Sequence, residues 1–172
     1  MDTEALKVTP ANARKYDIDV TRLIDAPVEK VWKAWTDCDL VMRWWGPANF
    51  TSHSCEIDFR VGGKFVWHMR GPKEMNFADF YVSGTYTEIV PLELIAFIQG
   101  LSDKNGNRID PGSIGMPPDF PREHLSTMVF KRVGSKTELT ATEYGWTVGH
   151  MANMSEMGLG QTLDKLCVLM KT

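Results

Sequence analysis

The chain has 172 residues, and its 19 Lys and Arg against 22 Asp and Glu leave a formal net charge of −3 spread without blocks. That length fits one domain of about 100–200 residues, large enough to bury a core without staples. Balanced charge and 43% hydrophobic residues exclude disorder and a basic nucleic-acid-binding face, so no nucleic-acid partner is expected.

Residues 1–15 show neither helical nor strand periodicity and read as a lead-in to one domain over 16–172. The start at Met1, Asp2, Thr3 and Glu4 lacks the basic and apolar run of a signal peptide. No stretch approaches the ~18 apolar residues of a membrane span. From Tyr16 to Ile24, Ile18 and Val20 alternate with Asp17, Asp19 and Thr21, which predicts a first strand. Asp25, Ala26 and Pro27 then open a helix, with Asp25 as cap and Pro27 in the first turn. Its apolar face is Val28, Val31, Trp32 and Trp35. A second short helix is predicted over about 37–45, with Leu40, Val41 and Trp44 inward and Gly46-Pro47 as its stop.

Beyond Pro47 the period becomes two. Strands are predicted near 50–59, 63–70, 79–90, 93–100, 122–133 and 136–144, separated by Gly and Pro punctuation and mostly antiparallel. Over 63–70, Phe65, Trp67 and Met69 share one face while Lys64, His68 and Arg70 share the other. The Pro- and Gly-rich stretch from Leu101 to Pro121 is long for a connection in a compact domain, which marks it as a functional loop such as a lid. A terminal helix over about 155–171 carries the stripe Leu159, Leu163, Leu166 and Met170, with Ser155 as its cap. The class is α+β: a curved antiparallel sheet of about seven strands around one long C-terminal helix, with two short helices after the first strand.

Cys38, Cys55 and Cys167 are odd in number, at unrelated spacings and without a CxxC, which argues against a disulfide framework and a thiolate zinc site. Reduced thiols in a cytoplasm are the expectation. His53, His68, His124 and His150 fall at no metal-ligand spacing, and the phosphate-binding and nucleophile motifs are missing, so neither metal, cofactor nor catalytic constellation is expected. Arg70, Glu88 and Glu143 are single charges within strands. Facing outward they are solvated; facing inward, one would orient a ligand's polar head or act as acid or base.

The 10 Met, 6 Trp, 4 Tyr and 8 Phe are large, adaptable side chains that suit a binding surface and equally an aromatic core. Phe65, Trp67, Met69, Met128 and Phe130, spaced by two, are candidates to line a cavity, with core packing against the helix as the competing reading. Trp44 and Trp45 either line its entrance or anchor the Gly46-Pro47 turn.

Five segments carry a resemblance: DAPVEKVWKAWTD (25–37), RWWGP (43–47), EIDFRVGGKF (56–65), SGTYTEIVPLELIAF (83–97) and GLGQTLDKL (158–166). Over about 16–171 and in this order, the chain resembles the Aha1-domain family, named for an activator of the Hsp90 ATPase, within the START-like (SRPBCC) helix-grip superfamily. The resemblance implies a sheet wrapped around the terminal helix, with a cavity between them for a small apolar ligand. Relatives commonly have Trp where this chain has Leu159, which implies a larger interior there. Leu159 and Leu163 accordingly join the candidate ligand contacts. The resemblance implies three activities: binding of a small hydrophobic molecule, an Hsp90-type co-chaperone or interaction module, and an enzyme of the polyketide cyclase kind. The co-chaperone that names the family carries a further N-terminal domain, whereas only about 15 residues precede this one.

Overall fold

A computed structural model describes residues 15–172, so residues 1–14 of the expected 1–15 lead-in lie outside the described residues, while Lys15 already belongs to the first strand. The elements are β1 (Lys15–Ile24), α1 (Val28–Thr36), α2 (Cys38–Trp44), β2 (Cys55–Ile57), β3 (Lys64–Arg70), β4 (Asp79–Val90), β5 (Leu94–Ser102), β6 (His124–Val133), β7 (Lys136–Thr147) and α3 (His150–Met170). The seven strands form one antiparallel sheet in the order β1-β7-β6-β5-β4-β3-β2. Register shifts at Tyr16/Ile18 and Tyr86/Glu88 mark bulges, which bend strands and raise their twist. Against this sheet lies α3, its Leu163 and Leu166 fully buried, each contributing about 1.5–3 kcal/mol by leaving water.

The alternation predicted for 63–70 is present: Phe65 and Trp67 are buried on the inner face. His68, on the outer face, is buried as well. Its Nδ1 accepts from the His53 amide at 3.0 Å and its Nε2 lies 2.7 Å from Asp79 Oδ1, so the 51–54 segment covers it. Several boundaries differ from expectation. Pro27, not Asp25, stands at the α1 N-cap and gives no side-chain cap, whereas Asp37 caps α2 by accepting from the Asp39 amide. The strand expected over 50–59 shrinks to Cys55–Ile57, because Thr51 makes only an isolated bridge with Arg70. The final helix begins at His150, five residues before Ser155, behind an N-cap Gly149 without a side-chain bond. The long 101–121 connection is locally organised. Asp103 accepts from the amides of Asn105 and Asn107, and Pro111–Ile114 forms a 3-10 turn capped by Asp110.

One expectation is overturned. Cys38 and Cys55 form a disulfide, with Cα atoms 5.4 Å apart, and Cys167 is the free thiol. Cys38 opens α2 and Cys55 opens β2, elements that pack together in the fold although 17 residues separate the cysteines. Spacing along the chain carried no trace of that packing, and the thiol argument for a reducing compartment falls with it. Among the described residues, no helix is long and apolar enough to cross a membrane.

Candidate ligand cavity

The concave face of the sheet and the N-terminal half of α3 enclose a cavity of about 290 Å³. From the sheet come Met69 of β3, Phe80 and Val82 of β4, Leu101 of β5 and Trp146 of β7. Leu159 and Met151 of α3 lie opposite, and the 46–50 turn contributes Pro47 and Phe50 beside Trp45. The predicted functional loop supplies Met116 and Phe120. A benzene molecule fits a cavity of ~150 Å³ in another, engineered protein, so this space suits a molecule of about one ring and a short chain.

Of the nine ligand contacts proposed from the sequence, Trp45, Met69 and Leu159 line this cavity. Trp44, Phe65, Trp67, Met128, Phe130 and Leu163 are buried in the core and do not line it. Phe65 and Trp67 stack with ring centroids 4.2 Å apart, and Trp45 lies against Trp67 at 4.6 Å. The core aromatics thereby form the floor under Trp45. Trp44 ties α2 to α1, as its Nε1 donates to Ala34 O at 3.0 Å.

The sheet side of the wall carries a polar cluster, and Ser155 and Thr162 line the cavity from α3. Gln99 of β5, His124 and Ser126 of β6, and Glu143 of β7 sit on three adjacent strands, with Gln99 paired to His124 and Ser126 to Glu143 in the ladders. Gln99 Nε2 donates to Ser126 Oγ at 2.8 Å and lies 3.2 Å from His124 Nε2. Glu143 Oε2 accepts from Trp146 Nε1 at 3.1 Å and is 3.7 Å from His124 Nε2. Side-chain exposure is 9% for His124 and 13% for Glu143, and His124 Nδ1 is buried without a partner. Glu143 therefore faces inward, whereas Arg70 pairs with Asp79 at 2.8 Å on the other face and Glu88 is exposed. Sequence reasoning weighed Glu143 singly and His124 only for metal-ligand spacing, and missed Gln99. Their signal was a polar residue in the inward slot of an alternating strand: Gln99 continues Ile95 and Phe97, and His124 precedes Ser126, Met128 and Phe130.

The mouth is held by Lys165, whose Nζ donates to the carbonyls of Gly46 and Phe50 at 3.0 Å each, tying the 46–50 turn to α3. Burial pushes this ammonium below its ordinary value. Among the described residues, no group of three or more His, Cys, Asp or Glu is placed to hold a metal ion.

A curved antiparallel sheet gripping a long C-terminal helix, with a cavity between them, is the START-like helix-grip fold. Residues 25–171 match the family described as Activator of Hsp90 ATPase homolog 1-like protein, and the chain belongs to it. Similar solved structures include a protein of Nitrosomonas europaea (24% identity, TM-score 0.69, covering 90% of this chain and 94% of that one). Another is from Chromobacterium violaceum (22%, TM-score 0.70, 91% and 97%). A third is an AHSA1 protein of Silicibacter pomeroyi (19%, TM-score 0.68, 91% and 98%). At these identities they share the fold. No curated protein matches the chain.

Proposed function

We propose that this protein binds a small, mainly apolar molecule in the cavity between the sheet and α3. The observation that carries the reading is the cavity itself: about 290 Å³, walled mainly by methionine, aromatic and aliphatic side chains, with a few polar groups among them. Ligand sites combine an apolar lining with a few placed polar groups in this way. Methionines at Met69, Met75, Met116, Met151 and Met154 suit the site to ligands of varied outline. A co-chaperone activity of the kind that names the family would act through the outer surface and would leave this interior without a role.

Titration with butylbenzene, followed by calorimetry, tests the reading. Ten carbons buried in such a site support about −6 kcal/mol, a Kd of tens of micromolar. Saturable binding with one site per chain is the expected result. Non-saturable uptake, or uptake only under partly denaturing conditions, overturns it.

A further inference from the structure

The polar cluster on the sheet side of the cavity centres on a carboxylate, Glu143. Among the described residues, Glu143 is the only carboxylate lining the cavity, and no lysine or arginine lines it. Its Oε2 is held by the Trp146 indole, while Oε1 has no hydrogen-bond partner among the described residues. His124, the basic side chain beside it, has its Nε2 3.2 Å from the Gln99 amide nitrogen and 3.7 Å from Glu143 Oε2, so it approaches the same oxygen that the Trp146 indole meets.

A carboxylate is acceptor-only, so the group that completes it must donate, and among mainly apolar walls a cation completes it best. The surroundings suit a cation too. Trp146 and Phe120 meet edge to face with centroids 5.4 Å apart, and Trp45, Phe50 and Phe80 line the same space, so the lining is rich in aromatic rings, the side chains that attract cations.

Resting on the apolar-cavity reading above, we propose that the site selects a primary amine on an apolar body of about one ring and a short chain. Glu143 Oε1 takes the ammonium head. Trp146 fixes the carboxylate, and the methionine and aromatic walls take the tail.

Three probes of one shape separate the possibilities: 4-phenylbutylamine, 4-phenylbutyrate and butylbenzene, titrated calorimetrically into the full chain. The amine is expected to bind at least about tenfold more tightly than butylbenzene, and the acid more weakly than either, the range for a hydrogen bond to a charged group. Glu143→Gln keeps an acceptor for the Trp146 indole and should erase the amine's advantage over butylbenzene, both affinities being measured on that variant. If butylbenzene binds and the amine gains nothing over it, the amine assignment falls and the apolar cavity stands. Tighter binding of the acid would show that His124, not Glu143, meets the head group, and overturns the proposal. If butylbenzene itself does not bind, the underlying cavity reading has failed. The wild-type comparison decides the matter even if Glu143→Gln does not fold.

Discussion

Trp146 donates its indole N–H to Glu143 Oε2 although the two residues are only three apart on β7. On a regular strand such residues point to opposite faces. Here the ladder pairs Ile18 with Glu143 and Tyr16 with Trp146, so Tyr144 and Gly145 together oppose the single Asp17. The extra residue returns the strand to the inner face, and both Glu143 and Trp146 enter the cavity wall. Gly145 makes this possible with φ +76°, and its amide donates to Asp17 Oδ1 at 3.0 Å.

The bulge gives the first prediction. A Cβ at Gly145 would meet nothing within 4 Å, so Gly145→Ala tests backbone conformation alone. Left-handed backbone costs an alanine about 1–2 kcal/mol, and denaturant unfolding should show a loss of that size. Gly145→Asn should lose less, since asparagine tolerates this region. Equal losses for the two variants would mean that the bulge, not the side chain's conformational preference, has given way.

The Cys38–Cys55 bridge gives the second. Closing a loop of about this length stabilises a domain by roughly 3 kcal/mol. For a chain of this size that corresponds to a drop of about 6–12 °C in Tm on reduction, measured by thermal unfolding with and without a reducing agent. The Cys38→Ser/Cys55→Ser double variant should melt near the reduced protein and ignore the reductant.

Acid stability gives the third. The Arg70 guanidinium, bonded to Asp79 at 2.8 Å, holds that carboxyl below its ordinary value, with His68 adding to the effect. A depressed carboxyl stabilises the fold above the unfolded-state value of about 3.9, and loses that contribution as pH falls through the folded value. Asp79→Asn should therefore be less stable than the parent at neutral pH, with the gap closing below about pH 4. The measurement is unfolding free energy across pH 2–7 for both proteins. The group is half-exposed, so solvent screening keeps the gap small.

The sheet and the terminal helix were legible because their periodicities are strong: Phe65, Trp67 and Met69 alternate with Lys64, His68 and Arg70, and Leu159, Leu163 and Leu166 repeat on α3. Which large residues border empty space was not legible. Phe65 and Trp67 share the inner face with Met69, yet only Met69 lies far enough along β3 to reach the cavity. Position along a strand decides this, and alternation reports only the face. Glu143 and His124 depend on pairing register, since neither is near the other in sequence. The bulge at Gly145 adds a residue that no two-residue period contains.

Leu159 joins the helix periodicity to the cavity and gives the last prediction. It lies on the buried stripe of α3, is 8% exposed and lines the cavity, at the position where the family resemblance implies an indole. Enlarging a side chain in a filled core costs about 1–3 kcal/mol through strain. Here the added volume of an indole, about 60 Å³, has the cavity to enter, and filling void at ~24 cal/mol per Å³ offsets roughly 1.4 kcal/mol. Leu159→Trp should therefore be neutral or stabilising in denaturant unfolding, while butylbenzene binding weakens as the indole takes about 60 Å³ of the 290 Å³ cavity. Leu159→Ala enlarges the cavity instead. It should cost about 2–3 kcal/mol and leave butylbenzene bound, because the lost side chain removes packing but not room. A Leu159→Trp protein destabilised by more than about 1.5 kcal/mol would show the space beside α3 to be closed to side chains of that size. Butylbenzene affinity in that same variant then tells whether it is closed to ligands as well.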